Sequence, residues 1–444
     1  MNQITRVLIL FLAVPLLACT EQPLPVFGES EPMTVPSGKP AYGPRLTQSN
    51  NDQAILSWME KAEGESSLHF SAFAIDAWKP SKTAAVDSGM FVNWADMPAV
   101  TAIGPDSLLA YWLSYTADAT YAYQVLTAFS NDDGASWSTP VSAHTDGTPT
   151  EHGFVSTFTA DTGTGLIWLD GRETPDQGMT LRSAILDAEG NRTNEAVMDD
   201  LVCDCCQTDI AETDAGPVAV YRNRTSEEVR DIYVARNLDG QWQTGVAVSD
   251  DGWVISGCPV NGPSIAAHGQ RVVVVWFTGA EPGPTVKAAM SKDGGKSFSE
   301  PVVIAQQDVV QGRVAVSVID QHSFAVSWLE KDAKGTYAIN LRGLSFDGRL
   351  GRVETVGRTS VARTFPQMLR VRDELIFAWT DEMNDLSKVA SVKVPIIGFY
   401  DSANCRSDCT SYETNSIFPT GKIRPTGATN YRGYCQRRVY SGIR

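Results

Sequence analysis

The chain has 444 residues, enough for two or three ordinary domains or for one large β architecture. Hydrophobic residues make up 43%, which supplies a core and excludes wholesale disorder. A formal charge of −16 argues against a nucleic-acid partner, because neutralising phosphates needs a basic surface.

The first element is an export signal. Arg6 gives a positive start and Val7 to Leu17 is apolar. That run falls short of the ~20 residues that span a bilayer. It ends in Leu16-Leu17-Ala18-Cys19, which resembles the lipobox of bacterial lipoproteins. The resemblance implies cleavage before Cys19, lipid on its sulfur and amine, and a membrane-anchored protein of the cell envelope. Thr20 rather than Asp follows Cys19, which in that pattern favours the outer membrane. Residues 19–40 carry Pro and Ser without a period and read as a tether.

From residue 41 to 396 one phrase recurs: a β-rich run that ends in an aromatic. It appears as AILSW at Trp58, LLAYW at Trp112, GLIW at Trp168, VAVY at Tyr221, VVVVW at Trp276, AVSW at Trp328 and IFAW at Trp379. The steps between them are 54, 56, 53, 55, 52 and 51 residues. A shorter apolar strand precedes each phrase, and one or two strands follow. Four short strands at a steady period predict an all-β chain, a β-propeller of four-stranded antiparallel blades. Seven phrases predict seven blades; six with one degenerate unit is the alternative. The last unit has three clear strands, so a strand from the Met33–Pro40 region is expected to close the ring.

Two octets, SNDDGASW at 130–137 and SKDGGKSF at 291–298, share Ser, Asp, Gly, Ser and an aromatic at the same offsets. Short polar side chains bond turn amides, Gly takes positive φ, and the aromatic plugs the hairpin. The octet is similar to the Asp box, or BNR repeat, of sialidases and related propellers. That likeness implies a peripheral structural turn and no catalytic part.

A propeller gathers the loops that lead into its innermost strands at one mouth of the central channel. Those approach loops carry Arg45, Asp96, His152, Cys205 and Cys206, Cys258 and Asn261, Arg313, and Arg363. Guanidinium groups bind carboxylates bidentately, so Arg45, Arg313 and Arg363 are candidate ligands for an acidic glycan or another small anion, with His152 and Asn261 beside them. The sialidase resemblance implies three arginines on the sugar carboxylate, an Asp acid/base, and a Tyr nucleophile with a Glu partner. Asp96 takes the acid/base place. The chain departs from the family at Arg45, whose context is Pro44-Arg45-Leu46-Thr47. No Tyr with a nearby Glu stands in an approach loop; Tyr221 and Tyr337 are the nearest. Exo-glycosidase chemistry, glycan binding and a structural ring all remain open.

Cys203, Cys205, Cys206 and Cys258 form a central sulfur group. Export makes disulfides the default, with Cys258 bonded to Cys205 or Cys206. A Cys/His site for Cu or Zn including His152, in a non-catalytic or protein-docking propeller, is the alternative to a chain without cofactor. His69, His144, His268 and His322 show no partner in sequence and read as structural. Asp170-Gly171-Arg172-Glu173 follows a central strand and reads as a turn or as part of the mouth. Residues 397–444 hold seven Lys or Arg against three Asp or Glu, and read as a basic tail, disordered or aberrant. A monomer is expected.

Overall fold

The computed structural model describes residues 24–400 other than 39, 50–52 and 384–385. Seven antiparallel sheets follow one another along the chain and close into a ring, so the seven-bladed reading holds over the six-bladed one. Blade 1 runs from Ala41 to Asp87, blade 2 from Ala99 to Ser142, blade 3 from His152 to Asp199 and blade 4 from Asp209 to Ala247. Blade 5 spans Ser264–Gln306, blade 6 spans Val310–Thr359, and blade 7 begins at Gln367. No helix long and apolar enough to cross a membrane occurs among the described residues.

The ring closes upstream of the expected place. Leu24–Phe27 and Glu31–Met33 both pair with Leu386–Tyr400, the third strand of blade 7, and complete that blade from outside. Two strands thus fall inside the segment read as a tether. The calls on residues 1–23, Cys19 among them, and on 401–444 lie outside the described residues.

The repeated aromatic sits on the second strand of every blade and is buried in each, from Trp58 and Trp168 at 0% exposure to Trp379 at 4%. A buried indole or phenol still needs a partner for its polar hydrogen. Six of the seven donate to a carboxylate. Trp58 reaches Glu60 at 2.8 Å, Trp168 reaches Asp170 at 2.7 Å and Trp328 reaches Glu330 at 2.7 Å, each two residues on. Trp112 uses Asp87 at 2.9 Å, Tyr221 uses Asp199 at 2.6 Å and Trp276 uses Asp251 at 2.7 Å. The Trp379 indole nitrogen alone has no partner.

Apolar clusters fill the spaces between neighbouring blades, so that each sheet buries its faces on the next. Polar side chains cross the same seams. Thr47 donates to the Val100 carbonyl, Ser156 to that of Thr208, and Ser264 accepts from the Val316 amide. The two octets fold alike: Asp132 takes the Ser136 amide at 2.9 Å, as Asp293 takes that of Ser297 at 2.9 Å. Ser130 and Ser291 accept from the amides of Gly134 and Gly295, both of which have positive φ.

Candidate functional site at the channel mouth

Loops from an outermost strand to the next innermost strand share one face of the ring with the loops between second and third strands. The expected mouth residues, from Arg45 to Arg363, lie in the segments that enter the innermost strands from that face. The octets lie on the other.

Trp94 and Phe365, which sequence reasoning passed over, organise the mouth. Their rings stack with centroids 5.7 Å apart, linking the loop before blade 2 to the loop before blade 7. The Arg313 guanidinium lies 4.3 Å from the Phe365 centroid and 5.3 Å from that of Trp94. Arg363 approaches Trp94 from blade 7 at 5.5 Å and is exposed. Arg313 and Arg363 therefore meet at one aromatic platform.

Arg313 is held there by its backbone. Gly312 and Arg313 both have positive φ, at 75° and 54°. The Asn261 side chain accepts the Arg313 amide at 2.9 Å and donates to the Gln311 carbonyl at 3.2 Å. A Cβ on residue 312 would stand 2.4 Å from that Asn261 oxygen, so Gly is required. Asn261, read from sequence as a substrate ligand, is buried and positions the arginine instead. Burial lowers the Arg313 pKa to about 10, and its Nη1 is buried without a hydrogen-bond partner.

Asp96 lies two residues beyond Trp94 and is 2% exposed. One carboxyl oxygen accepts the Phe154 amide at 2.8 Å. The other has no partner and rests against Gly153, where a Cβ would stand 1.9 Å from it. Burial raises the Asp96 pKa to about 8; the Phe154 bond opposes this, the Glu151 charge adds to it, and the Arg45 charge opposes it. The Arg45 charge also acts on Asp209 in the innermost strand of blade 4, and Arg45 makes no cation–π contact with Trp94 among the described residues.

Glu151 receives a hydrogen bond from the Tyr123 hydroxyl at 2.5 Å. Burial lifts its pKa to about 7. Glu151 and Asp204 line a groove of about 590 Å³ whose wall includes Tyr121 and Thr174. A Tyr–Glu pair beside an Asp is the set that the family resemblance implies, but neither Tyr221 nor Tyr337 supplies it. Tyr123 is fully buried, with its hydroxyl turned to Glu151. The pair is 28 residues apart along the chain, and no spacing rule marks it in the sequence.

His152 does not face the mouth and does not join the sulfurs. It is 0% exposed. Its Nδ1 lies 3.1 Å from the Tyr123 carbonyl and 3.0 Å from that of Thr150, so Nδ1 carries a proton whichever charge state the ring takes. Nε2 then faces Asp146 at 3.2 Å and Asp170 at 3.6 Å. Burial disfavours charge on the ring, but the Asp146 bond and the Asp170 charge outweigh it and raise the His152 pKa. His144, expected to lack a partner, stacks on His152 with centroids 3.7 Å apart and bonds Asp146 at 2.6 Å. Arg172 clamps Asp170 through two nitrogens, at 2.8 and 2.7 Å. This block of charge ties blade 2 to blade 3 behind the groove.

Cys205 and Cys258 are joined by a disulfide that ties the approach loops of blades 4 and 5. This is one of the two pairings left open by sequence. Cys203 and Cys206 are buried thiols with sulfurs 2.9 Å apart, and Arg230 donates to Cys203 at 3.4 Å.

Comparison with protein families finds no match, and comparison with curated proteins finds no sequence match. Among solved structures, a protein of unknown function from Dyadobacter fermentans is 14% identical, with 84% of this chain and 99% of that one covered at a TM-score of 0.48. Polysaccharide lyase Uly1 is 10% identical over 80% of this chain and 90% of its own, at 0.49. An α-L-arabinofuranosidase from Fusarium graminearum is 12% identical over 83% and 98%, at 0.47. These likenesses are to the course of the chain.

Proposed function

We propose that the channel mouth binds an acidic carbohydrate, with its carboxylate taken up by Arg313 and Arg363 and a sugar ring laid on Trp94. The observation that carries this reading is the buried, unpartnered Arg313 Nη1 on an aromatic platform. Leaving a buried guanidinium nitrogen without an acceptor costs on the order of 1–3 kcal/mol or more. The rest of the guanidinium is half-buried and open to the mouth, and an anionic ligand that supplies two acceptors there gives the cation the charge-assisted pair it lacks. Arg45 adds positive charge deeper in the channel.

Polarity across the mouth supports the same reading. Cations gather on blades 6 and 7, while Glu151 and Asp204 line the groove on the side of blades 2 to 4. A sugar held by its carboxylate on the first side presents its linkage to the second. Asp96, with a pKa near 8, holds a proton at neutral pH, and Glu151, near 7, holds one in about half of the molecules. That is the state required of a general acid in glycoside cleavage. Glu151 lines the groove, whereas Asp96 is covered, so hydrolysis would assign proton donation to Glu151 and a supporting role to Asp96.

Calorimetry with uronate- or sialate-bearing oligosaccharides against neutral ones tests binding, and release of reducing ends tests cleavage. Equal affinity for neutral and acidic sugars would end the proposal. Binding without release would leave a recognition propeller in place of an exo-glycosidase.

We also read Cys19 as a lipid attachment site that holds a monomeric propeller at the envelope, with the outer membrane favoured. Metabolic labelling with a fatty-acid analogue tests this, because label retained by Cys19→Ala would refute it. The Cys/His metal alternative is weakened by His152, whose Nε2 turns to Asp146 and Asp170 and away from the thiols.

A further inference from the structure

The four central cysteines differ in exposure in an ordered way. Cys258 is exposed, Cys205 half-buried, and Cys203 and Cys206 are buried at 1% and 2%. The sulfurs of Cys203, Cys205 and Cys206 lie within 4.8 Å of one another. The inner sulfur of an accessible disulfide thus adjoins a buried dithiol whose two sulfurs are 2.9 Å apart. Disulfides exchange when a thiolate attacks along such a contact.

We propose that this cluster is a thiol–disulfide exchange site, in which an oxidising equivalent taken at the exposed Cys205–Cys258 pair passes inward to Cys203–Cys206. The external oxidant is a disulfide, small or carried by another protein, met at Cys258 and released as two thiols. The transfer is internally balanced. The Cys203 thiolate attacks Cys205 Sγ, the Cys205–Cys258 bond breaks, and Cys258 leaves as a thiolate that takes up the proton Cys203 gave up. Cys206 then loses its proton and attacks Cys203 Sγ. The Cys203–Cys205 bond breaks, and Cys205 leaves and takes that proton. One disulfide is lost and one is formed.

The surroundings suit Cys203 as the attacking sulfur. The Cys206 hydrogen bond lowers its pKa to about 6 against the effect of burial, with the Arg222 charge and the Arg230 bond helping. Burial drives the Cys206 pKa well above its usual value, so Cys206 waits as the thiol. Cys258 lies three residues before Asn261, the residue that fixes Arg313. Transfer inward frees Cys258 and removes the covalent tie on that loop, while the exchange itself stands independently of the carbohydrate reading.

The test uses the full chain, reduced, then exposed to limiting oxidised glutathione, acid-quenched over time and mapped by alkylation and peptide mass spectrometry. The expected result is Cys205–Cys258, or its glutathione adduct, appearing first and Cys203–Cys206 growing at its expense. In Cys205→Ser, which cuts the relay but leaves the buried pair, Cys203–Cys206 should form at least tenfold more slowly; Cys205→Ala serves if Ser is not tolerated. Equal rates in wild type and variant overturn the proposal. So does a Cys205–Cys258 bond that never yields to Cys203–Cys206, two disulfides that always form together, or a metal ion held by the thiols.

Discussion

The guanidinium carbon of Arg313 lies 4.3 Å from the centre of the Phe365 ring, and the Asn261 side chain accepts the Arg313 amide at 2.9 Å. One residue supplies the mouth with a cation and another fixes where it points. Replacing Arg313 by Met keeps the stem on Phe365 and removes the charge. We expect affinity for acidic oligosaccharides to fall at least tenfold and the melting temperature to stay level or rise, since a buried unpartnered nitrogen disappears. Calorimetry and thermal unfolding on the same sample check both. Unchanged affinity would take Arg313 out of the site.

Asp96 sets a pH dependence of stability. Its folded pKa of about 8 lies above the ordinary aspartate value of 3.8. Between those values the folded state holds a proton that the unfolded state has released, so stability falls as pH rises from ~4 to ~8 and then levels. Glu151, raised from 4.5 to about 7, adds a decline of the same sign over that narrower range. Denaturation midpoints of wild type and Asp96→Asn should diverge in favour of the variant as pH rises, up to about 8. Parallel curves from pH 5 to 9 would contradict the assignment.

The unequal satisfaction of the repeated tryptophans predicts unequal mutational costs. Trp328→Phe loses volume and also the 2.7 Å bond to Glu330, which leaves a carboxylate without its donor. Trp379→Phe loses similar volume but no such bond, because that indole nitrogen has no partner. The first should cost about 1–2 kcal/mol more than the second, the worth of one such hydrogen bond. Urea titrations of the two variants give the difference directly.

The octets share a turn but not its surroundings. Gly134 has φ of 76°, and a Cβ there would lie 2.4 Å from the Phe70 ring. Gly295 has φ of 80°, and its nearest Cβ contact is Val218 at 3.2 Å. Gly134→Ala should therefore destabilise more than Gly295→Ala, with both above the ~1 kcal/mol expected of a positive-φ glycine alone. An equal loss would show that the backbone conformation, and not the Phe70 contact, sets the cost.

Much was legible in the residues themselves. Seven aromatics near a 53-residue step determined seven blades, because each four-stranded sheet needs a neighbour on both faces and the repeat is how the chain provides one. The octets determined their own turns, since Ser, Asp and Gly bond within eight residues. The export-signal pattern and the cysteines likewise made a disulfide the default. Tertiary structure decided what the local pattern does not carry, most of it between loops far apart along the chain. It chose Cys205 over Cys206 for Cys258, placed Trp94 and Phe365 under two arginines, and joined Tyr123 to Glu151. It also turned His152 away from the mouth onto Asp146, made Asn261 a prop for Arg313, and took the closing strands from Leu24–Met33. The physical reason is that strand period and turn chemistry are local and repeat along the chain. Charge pairing at the mouth depends on which loops the closed ring sets face to face, and no spacing along the chain records that.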